Sequence, residues 1–467
     1  MTIAEKLKEL GYNTVPDSFY DKVKEWNSWY IGDVDKFTWY KVRTGTKSVK
    51  CKRDSLGMAK KVSEDWANLL MNERVNITLE GKEEQAFVDK VLSENNFAVK
   101  SNEMQEFKAA LGTTAYIPRV VGQKQDGPAD GIQLDYVTVE HIRPISWRNG
   151  IVEECAFCSV KSVGDKEYMY FQIHVKGDDG NYIIRNHLCE AKNGQLYDVK
   201  MNSVPGFENI PTEVFTGSLK RQFVIDRMNI ANNLDPSIPL GVSVFANSID
   251  VLKGVDIAFD SYVNEFVLGK KRIMVKPAAT KFLDGEPVFD ENEMVFYVLP
   301  EDTSDADVIT PIDMKLRTAE HNRGIQDQLN LLSSKCGFGE NHYKFDGGSV
   351  ATATQVVSEN SALFRTLKKH EIILEDVLIE LCRIIIHLGN ATMGLSLDED
   401  VEISIDFDDS IIEDEEANFN RDARLLQMGI MNDWEFRMKW MNEDEATAKK
   451  ALPRMESLTT EEQDDVE

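Results

Sequence analysis

An α+β fold is the prediction for this sequence, and three observations carry it. Residues 1–110 read mostly helical, with apolar residues recurring at helical spacing. From Gly112 to about Phe223 the pattern changes to short β-rich runs with no helical crossover between them, which marks an antiparallel sheet and not a βαβ series. Between Gly241 and Gly389 the chain then reads helix, β insertion, helix, glycine-rich loop and one very long helix. A chain of 467 residues exceeds a single core, so two to four subdomains are expected.

In the first region, LGMAKKVSEDWANLLMNERV sets Leu56, Ala59, Val62, Trp66, Leu69 and Leu70 on one stripe, the core-facing side of an amphipathic helix. The strand-like runs that follow include TAYIPRVVG, IQLDYVTVEHIRPI, CAFCSVKSV, EYMYFQIHVKG and NYIIRNHL, separated by Gly, Asp and Asn turn signals. DPSIPLG (235–241) reads as a Pro-containing hinge ahead of a helix over 247–268, whose apolar stripe runs from Ile249 to Phe266. Asp256, Asp260 and Asn264 fall at i, i+4 steps on another face of that helix. The insertion, 270–312, carries two strand-like runs, KKRIMVKP and NEMVFYVLP, and a loop-like tail, EDTSDADVITP. A second helix over about 315–335 leads into the loop CGFGENHYKFDGGS, 336–349. There Gly347 and Gly348 supply the turn and Ser349 the N-cap of the last long helix. From Val350 to His387 that helix measures about 57 Å, longer than one ordinary domain, which fits one wall segment of a larger body. A short alternating strand and two or three short helices follow, and the tail LTTEEQDDVE reads as a frayed end.

Acidic residues outnumber basic ones 80 to 53, a net charge of −27. Residues 401–467 hold 20 acidic and 7 basic residues, so almost half of the excess sits in the last seventh of the chain. Holding DNA statically by counterion release needs clustered Lys and Arg, so this balance argues against a tight DNA binder. It leaves open a surface along which DNA moves without sticking. No apolar run reaches the length of a membrane-spanning helix, and MTIAEKLKEL lacks the basic and apolar regions of a secretory signal. No membrane partner is therefore expected. Six cysteines, at 51, 155, 158, 189, 336 and 382, are sparse enough to read as reduced thiols in a cytoplasm.

Several clusters invite chemistry. Cys155-x-x-Cys158, with His187 and Cys189, has the composition of a zinc site, but CAFCSV reads as a strand, where residues three apart point to opposite faces. Buried structural thiols are the expectation. Asp406, Asp408 and Asp409 stand at a strand end, as carboxylates that hold Mg²⁺ in nucleases do. A strand-to-helix turn capped by Ser410 or Asp414, with Glu415 and Glu416 on the helix dipole, accounts for the same residues. The loop carries Asn341, His342, Tyr343 and Lys344, an aromatic and a fixed cation suited to sliding contact with a phosphate backbone. Its glycine-rich edge opens a helix, where backbone N–H groups meet phosphate readily. There is no Walker loop, no G-x-S-x-G, no H-E-x-x-H and no triad spacing. No catalytic residue, metal or cofactor is expected.

The string resembles the portal proteins of tailed bacteriophages, of the Gram-positive siphophage type called SPP1-like. The stretches that carry the resemblance are WNSWYIGDVDKF (26–37), KKVSEDWANLLMNERVNI (60–77), PLGVSVFANSIDVLKGVDIAFDSYVNEFVLGKKRIMV (239–275), SVATATQVVSENSALFRTLKKHE (349–371) and DFDDSIIEDEE (406–416). The resemblance implies a ring-forming portal fold, typically of twelve copies, at one vertex of a virion capsid. Residues 1–240 would form the helical and β wing, 241–269 with 313–335 the stem, and 270–312 the clip. The tunnel loop would be 336–349, the long wing helix and strand 350–412, and the acidic crown and tail 413–467. The channel would pass double-stranded DNA during packaging and ejection. Asn341, His342, Tyr343, Lys344, Gly347, Gly348 and Ser349 would reach it from the loop; Asp256, Asp260 and Asn264 would line the stem or face solvent outside it. Lys270, Lys271, Arg272, Lys276 and Lys281 would face either the lumen or the terminase and head-completion adaptor at the clip. Major capsid and scaffolding proteins would be further partners, and assembly would take place in the host cytoplasm. Ile372, Ile373, Val377, Leu378, Leu381 and Ile384–Ile386 spread beyond one stripe of the long helix, which suits either a neighbouring copy or a large internal core. Two other readings compete: a metal-dependent nucleic-acid enzyme built on Asp406, Asp408 and Asp409, and a monomeric acidic adaptor working through the C-terminal helices.

Overall fold

The computed structural model describes residues 2–441 apart from 45–46, 72–74, 123–126, 270–271, 276–280, 284–285, 289–295, 299–308, 313–314, 346–352 and 408–414, and also residues 443–451. Helices and strands alternate at the start: α1 (Ile3–Glu9), α2 (Asp17–Ile31), β1 (Trp39–Thr44), β2 (Lys47–Lys52), α3 (Met58–Leu70), β3 (Asn76–Leu79), α4 (Lys82–Glu94) and α5 (Phe97–Leu111). The expectation of a helical first region thus holds for five helices and misses two pieces of β structure. One is the β1–β2 ribbon. The other is β3, which pairs antiparallel with a strand more than 300 residues later.

The antiparallel expectation for the next region is met. β4 (Thr113–Val121), β5 (Gly131–Thr138), β6 (Ile142–Arg148), β7 (Ile151–Val163), β8 (Lys166–Lys176), β9 (Tyr182–Lys192), β10 (Gln195–Asp198), β11 (Glu213–Phe215) and β12 (Val224–Arg227) form two sheets. One runs β10-β9-β8-β7-β6 with β11 also on β9, and the other runs β12-β4-β5; every pair is antiparallel. Both faces of the larger sheet are covered. Cys155 and Phe157 pack into the main core, whereas Ala156 and Cys158 join Phe171, Ile173 and Leu7 of α1 on the other side. Burial on two faces explains why 155–158 reads CAFC without alternation.

After β12 come α6 (Ile249–Leu268), β13 (Arg272–Val275), β14 (Lys281–Leu283), β15 (Glu286–Val288), β16 (Phe296–Val298), β17 (Ile309–Ile312) and α7 (Thr318–Lys335). The insertion contains more strand than the sequence pattern suggests. β13 lies between β16, parallel to it, and β17, antiparallel, and β17 occupies the end of the segment read as a loop. α8 (Ala353–Met393) follows at 41 residues, about 61 Å long, then β18 (Ile403–Asp406), α9 (Glu415–Gln427), α10 (Asp433–Met441) and α11 (Glu445–Lys450).

One core joins most of this. Trp26 of α2, Trp66 of α3, Tyr116 of β4, Phe245, Leu252 of α6, Leu332 of α7 and Leu378 of α8 all belong to it and are almost wholly buried. The apolar breadth of α8 is explained here: Val377, Leu378, Leu381 and Ile384–Ile386 are all buried within their own chain, and of that set only Ile372 is well exposed, at 60%. The internal core, not a neighbouring copy, takes those side chains. Residues 235–241 also differ from expectation. Ile238, Leu240, Val242, Val244 and Phe245 are buried, so the segment before α6 is a core-embedded strap and not a free hinge.

Candidate functional site

The elements that the sequence singles out for function are the α6–α7 pair, the insertion between them and the loop after α7. α6 and α7 run antiparallel. Glu265 near the end of α6 meets Arg317 just before α7, Gly254 lies against Gln328, and Ser248 lies against Cys336. At Gly254 the Gln328 amide fills the space a side chain would take, 2.6 Å from where a Cβ would stand. Where the insertion leaves the pair, the Arg317 guanidinium donates two bonds to Glu265, at 3.1 and 2.8 Å, and its backbone N–H a third at 3.1 Å. These bonds hold the Glu265 carboxyl down at about 2. The His321 Nε2 lies 3.5 Å from the same carboxylate.

The pair is fixed to the N-terminal region through α6. Asp256 is only 7% exposed and accepts the Ser55 hydroxyl at 3.0 Å and the Leu56 N–H at 3.0 Å. Burial raises its carboxyl although those two bonds oppose the shift. Asp260 accepts the Asp54 N–H at 2.9 Å. The structure therefore corrects the expectation for these acids. Asp256 neither lines an opening nor faces solvent; it cements α6 to the turn before α3, because a buried carboxylate needs donors and 54–57 supplies backbone N–H groups. Asp260 joins it in that role, and Asn264 is half-buried further along.

The loop is held in the same way over its described residues, 336–345. The Trp66 indole N–H donates to the Cys336 carbonyl at 3.0 Å, and Phe338 packs on the Trp66 ring at 4.9 Å between centroids. His342 stacks on Phe338 at 4.5 Å with planes 16° apart, and Tyr343 is 8% exposed with its ring edge-on to both. Burial pushes the Tyr343 hydroxyl far above its ordinary range, and the Asp65 carboxylate beside it adds to that. The Gln326 amide clasps the segment, donating to the Tyr343 carbonyl and accepting the Phe345 N–H, each at 2.7 Å. Phe345 meets Tyr262 of α6 at 5.7 Å.

The sequence reading gave His342 and Tyr343 a contact with DNA; Tyr343 is buried against Phe338, whereas His342 stacks on Phe338 and stays exposed. Asn341 adopts a left-handed φ of 62°, and Lys344 is exposed. Gly347, Gly348 and Ser349 lie outside the described residues, as do Lys270, Lys271, Lys276, Asp408 and Asp409. Arg272 and Lys281 stand on β13 and β14, and Asp406 ends β18 opposite Asn76. The anchor role of Trp66 was within reach of the sequence, since Trp66 lies on the predicted stripe, but its contact 270 residues away was not.

The cysteine cluster resolves into separate parts. Cys155 and Cys158 face opposite sides of the sheet and cannot converge on one ion. His187, Cys189 and Asp198 do converge, with ligand atoms within 4.8 Å of one another. The cation position on Asp198 is already taken. Lys6 of α1, 2% exposed, stands 2.6 Å from the same Asp198 oxygen that His187 meets at 2.9 Å and Cys189 at 3.4 Å. Burial tends to raise Asp198, but the bonds from Lys6, His187 and Cys189 prevail and leave it at about 2. Burial leaves the Cys189 thiol at about 12, and as a thiol it donates to Asp198. The trio reads as the socket that docks α1 on the sheet.

A family described as phage portal protein, SPP1 Gp6-like, matches residues 13–462. No curated protein matches. Among solved structures, a chain of the virion of a native gene transfer agent particle is similar at 11% identity, over 82% of this chain and 87% of that one, with a TM-score of 0.39. A chain from the neck of the empty particle, computed with C6 symmetry, gives 11%, 81%, 88% and 0.43, and one from the neck of the native particle, with C12 symmetry, gives 10%, 81%, 88% and 0.40. Those likenesses are distant, so the assignment stands on the family match, which runs over nearly the whole length: this chain belongs to the SPP1 Gp6-like family of phage portal proteins.

Proposed function

We propose that copies of this portal protein close into a ring, typically of twelve, whose axial opening passes double-stranded DNA during packaging and ejection. The family match over residues 13–462 is the observation that carries this reading. Support comes from the α6–α7 region, where Ile257, Phe266, Val267, Leu316 and Leu331 are 39–52% exposed in the single chain. Large apolar side chains left open around a helix pair are what neighbouring copies on either side would cover. A closed ring needs two different such surfaces on every copy.

In this reading α6 and α7 are the stem and residues 270–312 the clip, which docks the terminase and later the head-completion adaptor. Residues 336–349 are the tunnel loop, with its first ten residues clamped on Trp66 and the reach toward DNA left to Lys344 and the glycine-rich end. α8 is the spine of the wing and α9–α11 are the crown. The protein is structural and virion-borne, and the work of translocation belongs to the terminase. Negative-stain imaging and mass photometry of the purified chain test the reading: rings with a central hole are expected, and a uniform 53.0 kDa species would overturn it. Within a ring-forming preparation, Gly347→Val with Gly348→Val is expected to leave assembly intact and to impair packaging, since β-branched residues resist left-handed backbone.

A further inference from the structure

β1 and β2 form a two-stranded ribbon that pairs with no other strand among the described residues. Its register sorts the side chains. Trp39 opposes Lys52, Lys41 opposes Lys50 and Arg43 opposes Ser48, so these share one face; Tyr40 opposite Cys51 and Val42 opposite Val49 share the other. One face thus carries four of the ribbon's five cations, and the other is apolar except at its tip, where Thr44 opposes Lys47.

Neither face is satisfied within the chain. Val42 is 41% and Val49 50% exposed, so the apolar side lacks a core at its outer half. On the cationic side Lys41 stands directly opposite Lys50, an unfavourable like-charge pair, and residues 39–52 hold five cations and no acid. Lys50 leans over the Trp39 ring at 4.3 Å, the one local relief for its charge that the ribbon itself provides. The base is fixed: Arg53 donates from its backbone to the Thr38 carbonyl and from its guanidinium to the Phe37 carbonyl, each at 2.8 Å. An isolated two-stranded hairpin is marginal in water. This one projects from a rigid base with both faces incomplete.

We infer that the ribbon is an arm that lies across an adjacent copy of this chain, an inference that rests on the ring reading above. An adjacent copy meets both needs at once. It is acidic overall, at −27 with the ribbon's own cations already counted, and it exposes large apolar side chains such as Phe215 and Leu219, at 73% and 72%. A nucleic acid would meet the cations alone and leave the Val42–Val49 face in water. The arm fastens one copy to the next, with Val42 and Val49 buried and Lys41, Arg43, Lys50 and Lys52 paired to carboxylates of the neighbour.

The test uses the full-length protein, with chains labelled ¹⁴N and ¹⁵N dissociated, mixed, reassembled and treated with a zero-length carbodiimide. Cross-linked peptides joining Lys41, Lys50 or Lys52 of one isotope to an acid of the other are expected. The variants Lys41→Glu/Lys50→Glu and Val42→Asp/Val49→Asp are expected to keep their far-UV circular dichroism and to need at least tenfold more protein to form rings. Three results would overturn the arm while leaving the ring reading standing: cross-links confined to single chains, variants that assemble like the parent, or rings unchanged while affinity for a plain duplex oligonucleotide is what the charge reversal removes. A parent protein that stays monomeric overturns the ring reading, and the arm with it.

Discussion

Two histidines sit where a charge cannot. His174 is 1% exposed between Phe157 and Phe223, at 5.5 and 5.4 Å, with no partner for either ring nitrogen, and burial lowers it to about 3. His370 is 2% exposed, accepts the Asn229 N–H on Nδ1 at 3.2 Å, and is likewise lowered to about 3 by burial, with Lys108 and Lys369 adding to it. Both are neutral when folded and titrate near 6.5 when unfolded, so the unfolded chain binds more protons between those values. Stability is therefore full above about pH 6.5 and falls as pH drops toward 3, by about 2 kcal/mol per histidine at pH 5. Urea unfolding at about pH 7.5 and 5 should show that loss, and His174→Leu should reduce it by about 2 kcal/mol. A fully buried ion pair is compensated by contrast. Lys108 and Asp226, both fully buried, meet at 2.9 and 3.1 Å, and Gln105 donates to the same carboxylate at 2.8 Å. Burial pulls Lys108 down while Asp226 opposes it. Asp226→Ala should cost about 3–5 kcal/mol by stranding the ammonium, and Lys108→Met with Asp226→Leu should recover most of it. Recovery absent in the double variant would mean that packing, not charge, sets the loss.

At the scale of elements, the join between the N-terminal region and the strap before α6 depends on two glycines meeting backbone to backbone. Gly112, at φ 91°, would place a Cβ 2.4 Å from the Gly241 carbonyl oxygen, and Gly241 would place one 2.4 Å from that of Gly112. Around them Gly241 donates to the Thr113 hydroxyl at 2.8 Å, Met228 to the Gly112 carbonyl and Val244 to the Ala109 carbonyl, each at 3.0 Å. Gly112→Ala should therefore cost about 2–4 kcal/mol, from positive φ together with the clash. Gly11→Ala, at φ 94° with open space around it, should show the conformational part alone, about 1–2 kcal/mol. Thermal unfolding of both variants separates the two terms, and equal losses would deny the close approach. The same join shows what a sequence can carry. Stripes such as Ala59–Val62–Trp66 and the alternation in β5 announce their elements, because burial on one face leaves a period. What faces a stripe is another matter. Nothing near residue 66 signals Cys336, nothing near Asp256 signals Leu56, and the spacing that made Asp256 and Asp260 look like a wet face holds equally well for acids that accept buried N–H groups. WYKVRTGTKSVKCK does alternate around Gly45, so the β1–β2 ribbon was legible, but it is short and rich in Lys and sits between helices, where helical reading prevailed.

For the whole molecule the decisive quantity is the balance between a net charge of −27 and the few places where cations gather. A conduit for DNA must avoid gripping it, since every Lys or Arg set against phosphate adds a contact that has to be broken as the duplex advances. Releasing counterions requires several cations in register, and each contributes to a steep dependence on salt. The ribbon is a gathering of this kind on the chain, and in an assembled ring its cations are already matched to carboxylates of the next copy. The acidic remainder then repels duplex DNA over roughly the 8–10 Å across which charge is felt at physiological ionic strength. Assembled protein at about 150 mM salt should therefore leave a linear duplex unshifted in an electrophoretic assay at micromolar concentration, where a basic surface of similar size would retard it. The Val42→Asp/Val49→Asp variant, with its ribbons freed, should retard the same duplex in low salt and lose that binding as salt rises. Firm, salt-sensitive retention by the intact assembly would show that cations remain open on its surface, and that this conduit holds its cargo by attraction.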